Sequence, residues 1–332
     1  MFNSIKQEAM PDHIGSRRQR IGYILAEYGI ILAFIALVIA LSFASPYFLR
    51  MKNILNVLRQ TSVNALLAIG MTFVILTGGI DLSVGSVLAF GGVVAASLAS
   101  DALFGPIVNP FLAAGAGLLG GLILGSVNGV FVAKWRMPAF VVTLGMLSMA
   151  RGFTFIYTDG MPVPRIDERF LVFGQGRFLG IPLPVIILAV VFSLSWVILY
   201  KTRYGRYIYA VGGNEKSAKI SGVNTRFIVF TVYVISGLLS ALGGIILTAR
   251  TTAGLPQAGQ AYELDAIAAV VIGGTSLSGG QGALSGTLIG ALLIGVINNG
   301  LDLLGVSSYF QQVIKGAIII GAVLLDSFRK RD

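Results

Sequence analysis

Polar side chains inside long apolar stretches are the residues of this sequence whose types could do chemistry. They are Asn64, Asn128, Asn298, Asn299 and Gln311; Asp81, which lies between two of the stretches, is added to Asn64, Asn128, Asn298 and Asn299 as a candidate for a solute pathway. An unpaired amide in hydrocarbon is costly, so each side chain should face another helix or a water-filled path. Uncharged amides donate and accept hydrogen bonds, which suits a neutral hydroxylated solute better than an ion. The sequence leaves two interpretations open, a solute pathway through these residues and hydrogen bonds between helices.

The segment Thr77–Ser83 separates two apolar runs. Its two glycines suit a helix end, and Asp81 suits the N-cap of the next helix, which is the structural alternative to a place in the pathway. Glu263 and Asp265 are expected at the start of a later helix, where the helix dipole favours acids without any ion coupling. Two cations inside predicted spans, Arg151 and Lys315, are expected to extend their charges to a span end.

The composition excludes a soluble domain. Of 332 residues, 55% are hydrophobic and only 11% are charged, whereas soluble domains carry about 25% charged residues. Cysteine is absent and the single histidine, His13, lies in a polar tail, so thiol, histidine or zinc chemistry within a membrane is excluded. We predict an all-α polytopic membrane protein with about ten transmembrane helices.

Ten apolar runs support this fold class, and their ends carry glycine, proline or aspartate. The run at 264–278 is short enough to be a half-helix or a re-entrant element. The runs lie at about 21–43, 54–77, 82–100, 111–133, 138–157, 184–200, 228–249, 264–278, 284–302 and 309–326.

Basic residues predict the orientation. If the spans alternate from a cytoplasmic N-terminus, 15 of the 24 Lys and Arg residues lie inside and 6 outside. This bias also accounts for the net charge of +10 without nucleic-acid binding. The predicted organisation is therefore a cytoplasmic tail over 1–20, a transmembrane domain over 21–326 and a cytoplasmic tail over 327–332. Its two long loops are an outer one at about 158–183 and a cytoplasmic one at about 201–227.

Glycines recur every four residues from Gly117 to Gly129 and again at Gly286 and Gly290. Small residues let helices approach closely in lipid, so these positions predict static packing or, alternatively, faces that slide. The stretch Gly121–Asn128 also resembles Ala291–Asn298, which suggests an internal repeat.

The sequence lacks the motif of the commonest ATP-hydrolysing site, which bears on the source of energy for transport. No Gly-Lys dipeptide occurs, so the phosphate-binding loop of P-loop ATPases is missing. An ion gradient, a partner or passive flow must then drive any transport. Ion-driven carriers usually place titratable groups near the middle of the membrane, and the acids here cluster at predicted helix ends, which favours a partner.

The cytoplasmic loop offers a surface for such a partner. Asn214 can cap a short helix over 215–221, and Gly222 can end it. That helix carries Ala218 and Ile220 beside charged residues, so it could lie in a partner's groove or along the lipid headgroups.

These residues also carry a family resemblance. The chain resembles the membrane permeases of bacterial monosaccharide ATP-binding-cassette importers. The matching stretches are Gln60–Ala65, Leu76–Ser86, Gly205–Ala210, Gly212–Glu215, Tyr262–Val271, Gly273–Ser276, Asn298–Leu301 and Gly305–Tyr309.

The resemblance implies a bacterial inner-membrane subunit that carries a ribose-like monosaccharide into the cytoplasm. It implies three partners: a second permease copy, a cytoplasmic ATPase that binds ATP and Mg²⁺, and a periplasmic sugar-binding protein. The chain itself would hold no cofactor or metal and would not be an enzyme. An ion-driven sugar carrier is the alternative. The short cytoplasmic helix resembles the family's coupling helix, which assigns ATPase coupling to Gly212, Gly213, Asn214, Glu215, Ala218, Ile220 and Gly222.

Overall fold

A computed structural model describes residues 17–103 and 107–329. The described part of the chain is almost entirely helical, which confirms the predicted fold class. Its helices are α1 (Arg17–Ala44), α2 (Met51–Leu76), α3 (Val84–Leu98), α4 (Pro110–Ala133), α5 (Ala139–Thr158), α6 (Glu168–Gln175), α7 (Leu183–Lys201), α8 (Arg203–Gly213), α9 (Glu215–Ile220), α10 (Thr225–Thr251), α11 (Tyr262–Ile272), α12 (Leu284–Leu303) and α13 (Ser308–Arg329).

Each of the ten apolar runs lies on a helix. Six helices of the described residues are long and apolar enough to cross a membrane alone: α2, α4, α5, α7, α10 and α12. The structure therefore does not establish ten complete spans. At 1.5 Å per residue, α11 is only about 16 Å long, against a hydrocarbon core of about 30 Å. The run at 264–278 accordingly forms the half-helix that its length allowed.

The segment 254–261 before α11, which consists mostly of turns, adds to the depth that α11 covers. Gly254 packs against Ala96 near the C-terminus of α3, and Gly259 packs against Gly85 at its N-terminus. Because those two contacts lie eleven residues apart on α3, this stretch descends through roughly 16 Å. The segment 254–261 and α11 together therefore cover about 32 Å, close to the thickness of a hydrocarbon core if both run in the same direction.

The predicted tails and the outer loop are partly structured. Residues 1–16 and 330–332 of the predicted tails lie outside the described residues, whereas α1 already begins at Arg17 and α13 continues to Arg329. The outer loop holds α6 and a small antiparallel hairpin of β1 (Arg177–Phe178) and β2 (Ile181–Pro182). Asp167 caps α6 by accepting a hydrogen bond from the Arg169 N–H at 2.8 Å.

The core is built around α2 and α10. Of the most apolar 18-residue segment of α2, 83% is buried. The corresponding segments of α5 and α7 are only 22% and 17% buried, so these two helices lie at the periphery. The two core helices have similar surroundings: α2 packs against α11 and α12, and α10 packs against α3 and α4. The similar stretches Gly121–Asn128 and Ala291–Asn298 lie on the corresponding helices α4 and α12. This arrangement supports the predicted internal repeat.

Glycines make the helix contacts close. A Cβ at Gly121 would collide with the Gly237 carbonyl on α10, and one at Gly117 would meet the Gly91 carbonyl on α3. On the other side of the bundle, Gly290 packs in the same way on the Ala269 carbonyl of α11. The predicted small-residue packing is therefore present in all three of these helix pairs, α4–α10, α4–α3 and α12–α11.

Candidate coupling surface and solute pathway

The short helix predicted in the cytoplasmic loop forms as α9, one residue shorter than expected at its C-terminus. The Asn214 side chain accepts a hydrogen bond from the Ser217 N–H at 2.9 Å and so caps the helix. Gly222 ends it with φ +85°, and its N–H donates to the Lys219 carbonyl at 3.0 Å. Both devices were predicted from residue type and spacing.

The predicted coupling residues divide into an exposed and an inner set. Ala218 is buried against the bundle. Ile220 is 88% exposed, and it lies among exposed charged side chains. An apolar side chain so exposed on a capped helix is available to a partner's groove or to lipid. Gly213, Asn214, Glu215 and Gly222 are also exposed.

Helix α8, which was not predicted from the sequence, connects α9 to the bundle. Thr202 caps α8, accepting from the Gly205 N–H at 3.3 Å. Ile208 and Val211 are buried in a cluster with α2 and α10. These two apolar residues are three positions apart, which is the spacing of one face of a helix. That spacing was the signal that could have predicted an amphipathic helix.

A second attachment of α8 is polar. The Tyr209 hydroxyl donates to the Gly282 carbonyl at 3.0 Å. Burial raises the pKa of Tyr209 well above its ordinary value, so the hydroxyl stays protonated and remains a donor. α8 is therefore fixed both to α2 and to the segment before α12.

Three glycine pairs meet beneath the coupling helix and form what we call the glycine joint. The Gly280 N–H donates to the Leu76 carbonyl at 2.9 Å. A Cβ at Gly212 would collide with that same carbonyl and lie 2.5 Å from the Gly280 nitrogen. A Cβ at Gly279 would lie 2.7 Å from the Gly78 nitrogen. The joint consists of Gly78, Gly79, Gly212, Gly213, Gly279 and Gly280.

The glycine joint connects the cytoplasmic loop to the ends of two core segments through main-chain contacts. In the sequence, Gly78–Gly79 and Gly279–Gly280 were predicted to end helices, and Gly212–Gly213 to belong to the coupling loop. The recurrence of Gly-Gly was the available signal, but the pairs are far apart in the chain and their meeting depends on the packing of α8.

Two predicted pathway residues lie in one buried network. Asp81 is 1% exposed and accepts from the Ser83 hydroxyl at 2.6 Å and from the Ser236 hydroxyl at 2.7 Å. The Asn128 amide donates to the Ser83 hydroxyl at 2.9 Å. The prediction that Asp81 is the N-cap of α3 is wrong. The N-cap is Ser83, and the helix begins at Val84. The network ties α3, α4 and α10 together, which agrees with the interhelical interpretation.

The other pathway candidates lie on α2 and α12. Asn53 and Asn299 exchange hydrogen bonds of 2.8 and 2.9 Å and so clamp the two helices together. Asn64 is buried on α2, at 6% exposure. Asn298 is buried on α12, at 5% exposure, and its side-chain carbonyl oxygen has no partner among the described residues. Asp81 and Asn128 thus share one network, Asn299 pairs with Asn53, and a role of the five candidates in a solute pathway stays a prediction.

The side chains of Lys315 and Arg151, the two cations inside spans, bind partners within the bundle. They do not extend to the span ends, so the sequence-based expectation is wrong. Lys315 on α13 forms an ion pair of 3.0 Å with Asp265, whose side chain is 2% exposed. Arg151 on α5 donates from one nitrogen to the carbonyls of Pro256 and Ala258, at 2.6 and 2.7 Å. Both charges hold the half-helix α11 and its lead-in stretch, where partners cost less than extension into lipid.

Comparison with known proteins gives the class of protein. Residues 53–323 match the family described as branched-chain amino acid transport system / permease component. The ribose import permease protein of Escherichia coli strain K12 is 51% identical over 307 residues, which cover 91% of this chain and 94% of that protein. The ribose import permease protein of Bacillus subtilis strain 168 is 49% identical, with coverages of 95% and 98%.

A further relative, the D-allose transport system permease protein of Escherichia coli strain K12, is 43% identical over 88% of this chain and 89% of that protein. No solved structure is significantly similar to the chain. The apolar helical bundle and these matches define a membrane transport permease. The chain belongs to the family of branched-chain amino acid transport system permease components, as the resemblance of its motifs implied.

Proposed function

We propose that the chain is the permease subunit of an ATP-binding-cassette importer that carries a ribose-like monosaccharide across the bacterial inner membrane. The observation that carries this proposal is identity of about one half to ribose import permeases over nearly the whole chain. The allose relative supports a monosaccharide and leaves the choice among sugars to the test. An ion-driven carrier is not favoured.

A separate ATPase would supply the energy, with ATP and Mg²⁺ bound on that partner. The exposed helix α9 and the glycine joint support this division of work, because they give a docking surface a main-chain connection to the core. Two permease copies and a periplasmic sugar-binding protein complete the proposed importer. In this proposal, ATP binding changes the preference of the permease pair between outward- and inward-facing states.

Reconstitution in liposomes tests the function. We expect no accumulation of ribose by the permease alone, and ATP-dependent accumulation when the ATPase and the binding protein are added. Accumulation by the permease alone that collapses with an uncoupler would instead establish the ion-driven alternative.

Substitutions in α9 test the coupling assignment. Glu215→Arg and Gly213→Pro are expected to reduce both uptake and co-purification of the ATPase. Glu168→Arg makes the same change of charge at an exposed position of the outer loop and serves as the control. Normal uptake in both α9 variants would contradict the assignment of coupling to this segment.

A further inference from the structure

The segment 254–261 runs into the bundle as irregular main chain. Gly254 and Val163 of the outer loop exchange two main-chain hydrogen bonds of 2.8 and 2.9 Å, which fixes the outer end of the segment. Gly259 packs on Gly85, roughly 16 Å deeper along α3. Irregular main chain at this depth in a membrane occurs only where protein covers it or where water reaches it.

Protein covers one side of the segment. Pro256 and Gly259 are buried, and Arg151 of α5 donates to the carbonyls of Pro256 and Ala258 at 2.6 and 2.7 Å. Arg151 lies about 10 Å before the C-terminus of α5 at Thr158. This position on α5 agrees with the depth measured along α3, so the middle of the segment lies well below the outer surface.

The other side of the segment carries exposed amides. Gln257 and Gln260 are both exposed, and neither side chain forms a hydrogen bond with another described residue. Leu264, at the start of α11, is 44% exposed. The spacing of three and four residues, with buried residues in between, places these side chains on one side of the segment. We call Gln257, Gln260 and Leu264 the amide face.

Water suits the amide face and lipid does not, because an amide without a hydrogen-bond partner in hydrocarbon is costly. The peripheral helix α7 shows the composition that lipid favours. Its exposed residues Val190 and Leu194 are apolar, and they lie about 10 and 16 Å from the start of that helix at Leu183. Exposed glutamines at comparable depth therefore indicate a water-filled path.

The chemistry of the amide face fits a neutral hydroxylated solute. Each glutamine amide both donates and accepts, as a sugar hydroxyl does, and Leu264 offers an apolar surface to the C–H groups of a sugar ring. Arg151 and Glu263, which border the face, carry opposite charges and attract each other. An ion of either sign would be repelled by one of them.

We propose that the amide face lines the solute pathway and that Gln257 and Gln260 form hydrogen bonds with the monosaccharide as it passes the middle of the membrane. The path lies between the amide faces of two permease copies, because this side of a single chain is exposed. A helix interrupted at mid-membrane depth is also where other transporter folds bind their substrates. The inference rests on the proposed function, since it takes the transported sugar as the solute.

Cysteine labelling tests whether water reaches the amide face. The chain has no native cysteine, so single cysteines are introduced into the permease of the complete importer in liposomes. A charged, membrane-impermeant thiol reagent is added on both sides, and the mass of the permease is measured. We expect Gln257→Cys and Gln260→Cys to react about tenfold faster than Val190→Cys and Leu194→Cys, their controls at matched depth. Equal rates would place the amide face in lipid and overturn the proposal.

Uptake tests the contact with sugar. Gln257→Leu and Gln260→Leu keep the approximate size of the side chain but remove its hydrogen bonds, so each should lower ribose uptake by about three- to tenfold. ATP hydrolysis stimulated by the loaded binding protein should stay unchanged, because neither residue belongs to the coupling loop. Gln260→Asn keeps an amide and should retain more uptake than Gln260→Leu.

Two results of the uptake experiment would overturn the proposal. One is uptake at the wild-type rate in both leucine variants. The other is a parallel loss of uptake and hydrolysis, which would mean that the glutamines support the fold or the coupling and not the passage of sugar. Failure of the proposed function is distinguishable, because the wild-type importer would then show no ATP-dependent ribose uptake, whereas the labelling rates do not depend on the sugar.

Discussion

Gly212 lies against the main-chain carbonyl of Leu76, with no room for a side chain between them. The same carbonyl accepts a hydrogen bond of 2.9 Å from the Gly280 N–H. One atom at the end of α2 therefore receives contacts from the coupling loop and from the segment before α12, which makes it the centre of the glycine joint.

Substitution at this contact should uncouple the importer. We expect Gly212→Ala to cost about 1–3 kcal/mol of stability through overpacking and to lower ATP-driven uptake, because the added methyl separates α8 from Leu76. Gly213→Ala is the matched control, since a Cβ there meets nothing within 4 Å. Uptake rates and thermal unfolding of both purified variants provide the measurement. Equal uptake by the two variants would contradict a role for the joint.

The ion pair between Lys315 and Asp265 predicts that removing the lysine costs more stability than removing the aspartate. The Asp265 side chain is 2% exposed and the Lys315 side chain 22% exposed. Lys315→Met leaves a buried carboxylate unpaired and should cost about 3 kcal/mol. Asp265→Asn should cost less, because the remaining ammonium keeps some contact with its surroundings.

Thermal unfolding of the two single variants and of the double variant measures this coupling. The double variant should be more stable than Lys315→Met alone, since it no longer buries an unpaired charge. Strictly additive losses would show that the two groups do not depend on each other.

Arg151 predicts the accessibility of the stretch that leads into α11. The chain has no cysteine, so a single introduced cysteine is labelled without background. Ala258→Cys should react faster with a water-soluble maleimide in an Arg151→Met background, because the guanidinium no longer holds the carbonyls of Pro256 and Ala258. Met161→Cys, in the outer loop, should react equally in both backgrounds. An unchanged rate at residue 258 would remove Arg151 as the anchor.

The composite crossing made by residues 254–272 predicts the sidedness of the chain. If the segment 254–261 and α11 count as one crossing, the ten apolar runs give ten crossings and both termini lie in the cytoplasm, as the basic residues predict. Reporter fusions at the two ends of the chain, active only on one side of the membrane, check this. Opposite signals from the two ends would mean that α11 returns to the side from which it came.

The sequence predicted the fold class and the positions of the helices that carry the ten apolar runs, because a membrane span must be long and apolar. It also predicted α9, since a capping asparagine and a terminal glycine act locally. It did not predict the partners of Lys315 or Arg151. Those depend on how α11, a helix too short to span, is packed against α13 and α5, and no pattern within a single segment reports that packing.

The pathway candidates show the same limit. A buried asparagine satisfies its hydrogen bonds across helices or lines a channel, and both situations place an amide in an apolar run. The structure assigns Asn299 to a clamp with Asn53 and Asn128 to the network around Asp81, which are specific partnerships that only tertiary packing creates.

Because the glycine joint is made of main chain, it is indifferent to the side chains that distinguish one sugar permease from another. Hybrid permeases could therefore exchange other helices with those of the allose relative while keeping the original ATPase partner, provided that Gly212, Gly279 and Gly280, where an added Cβ would collide with main chain, are retained. The residues that select the sugar and those that transmit movement from the ATPase would then be free to evolve independently within one polypeptide.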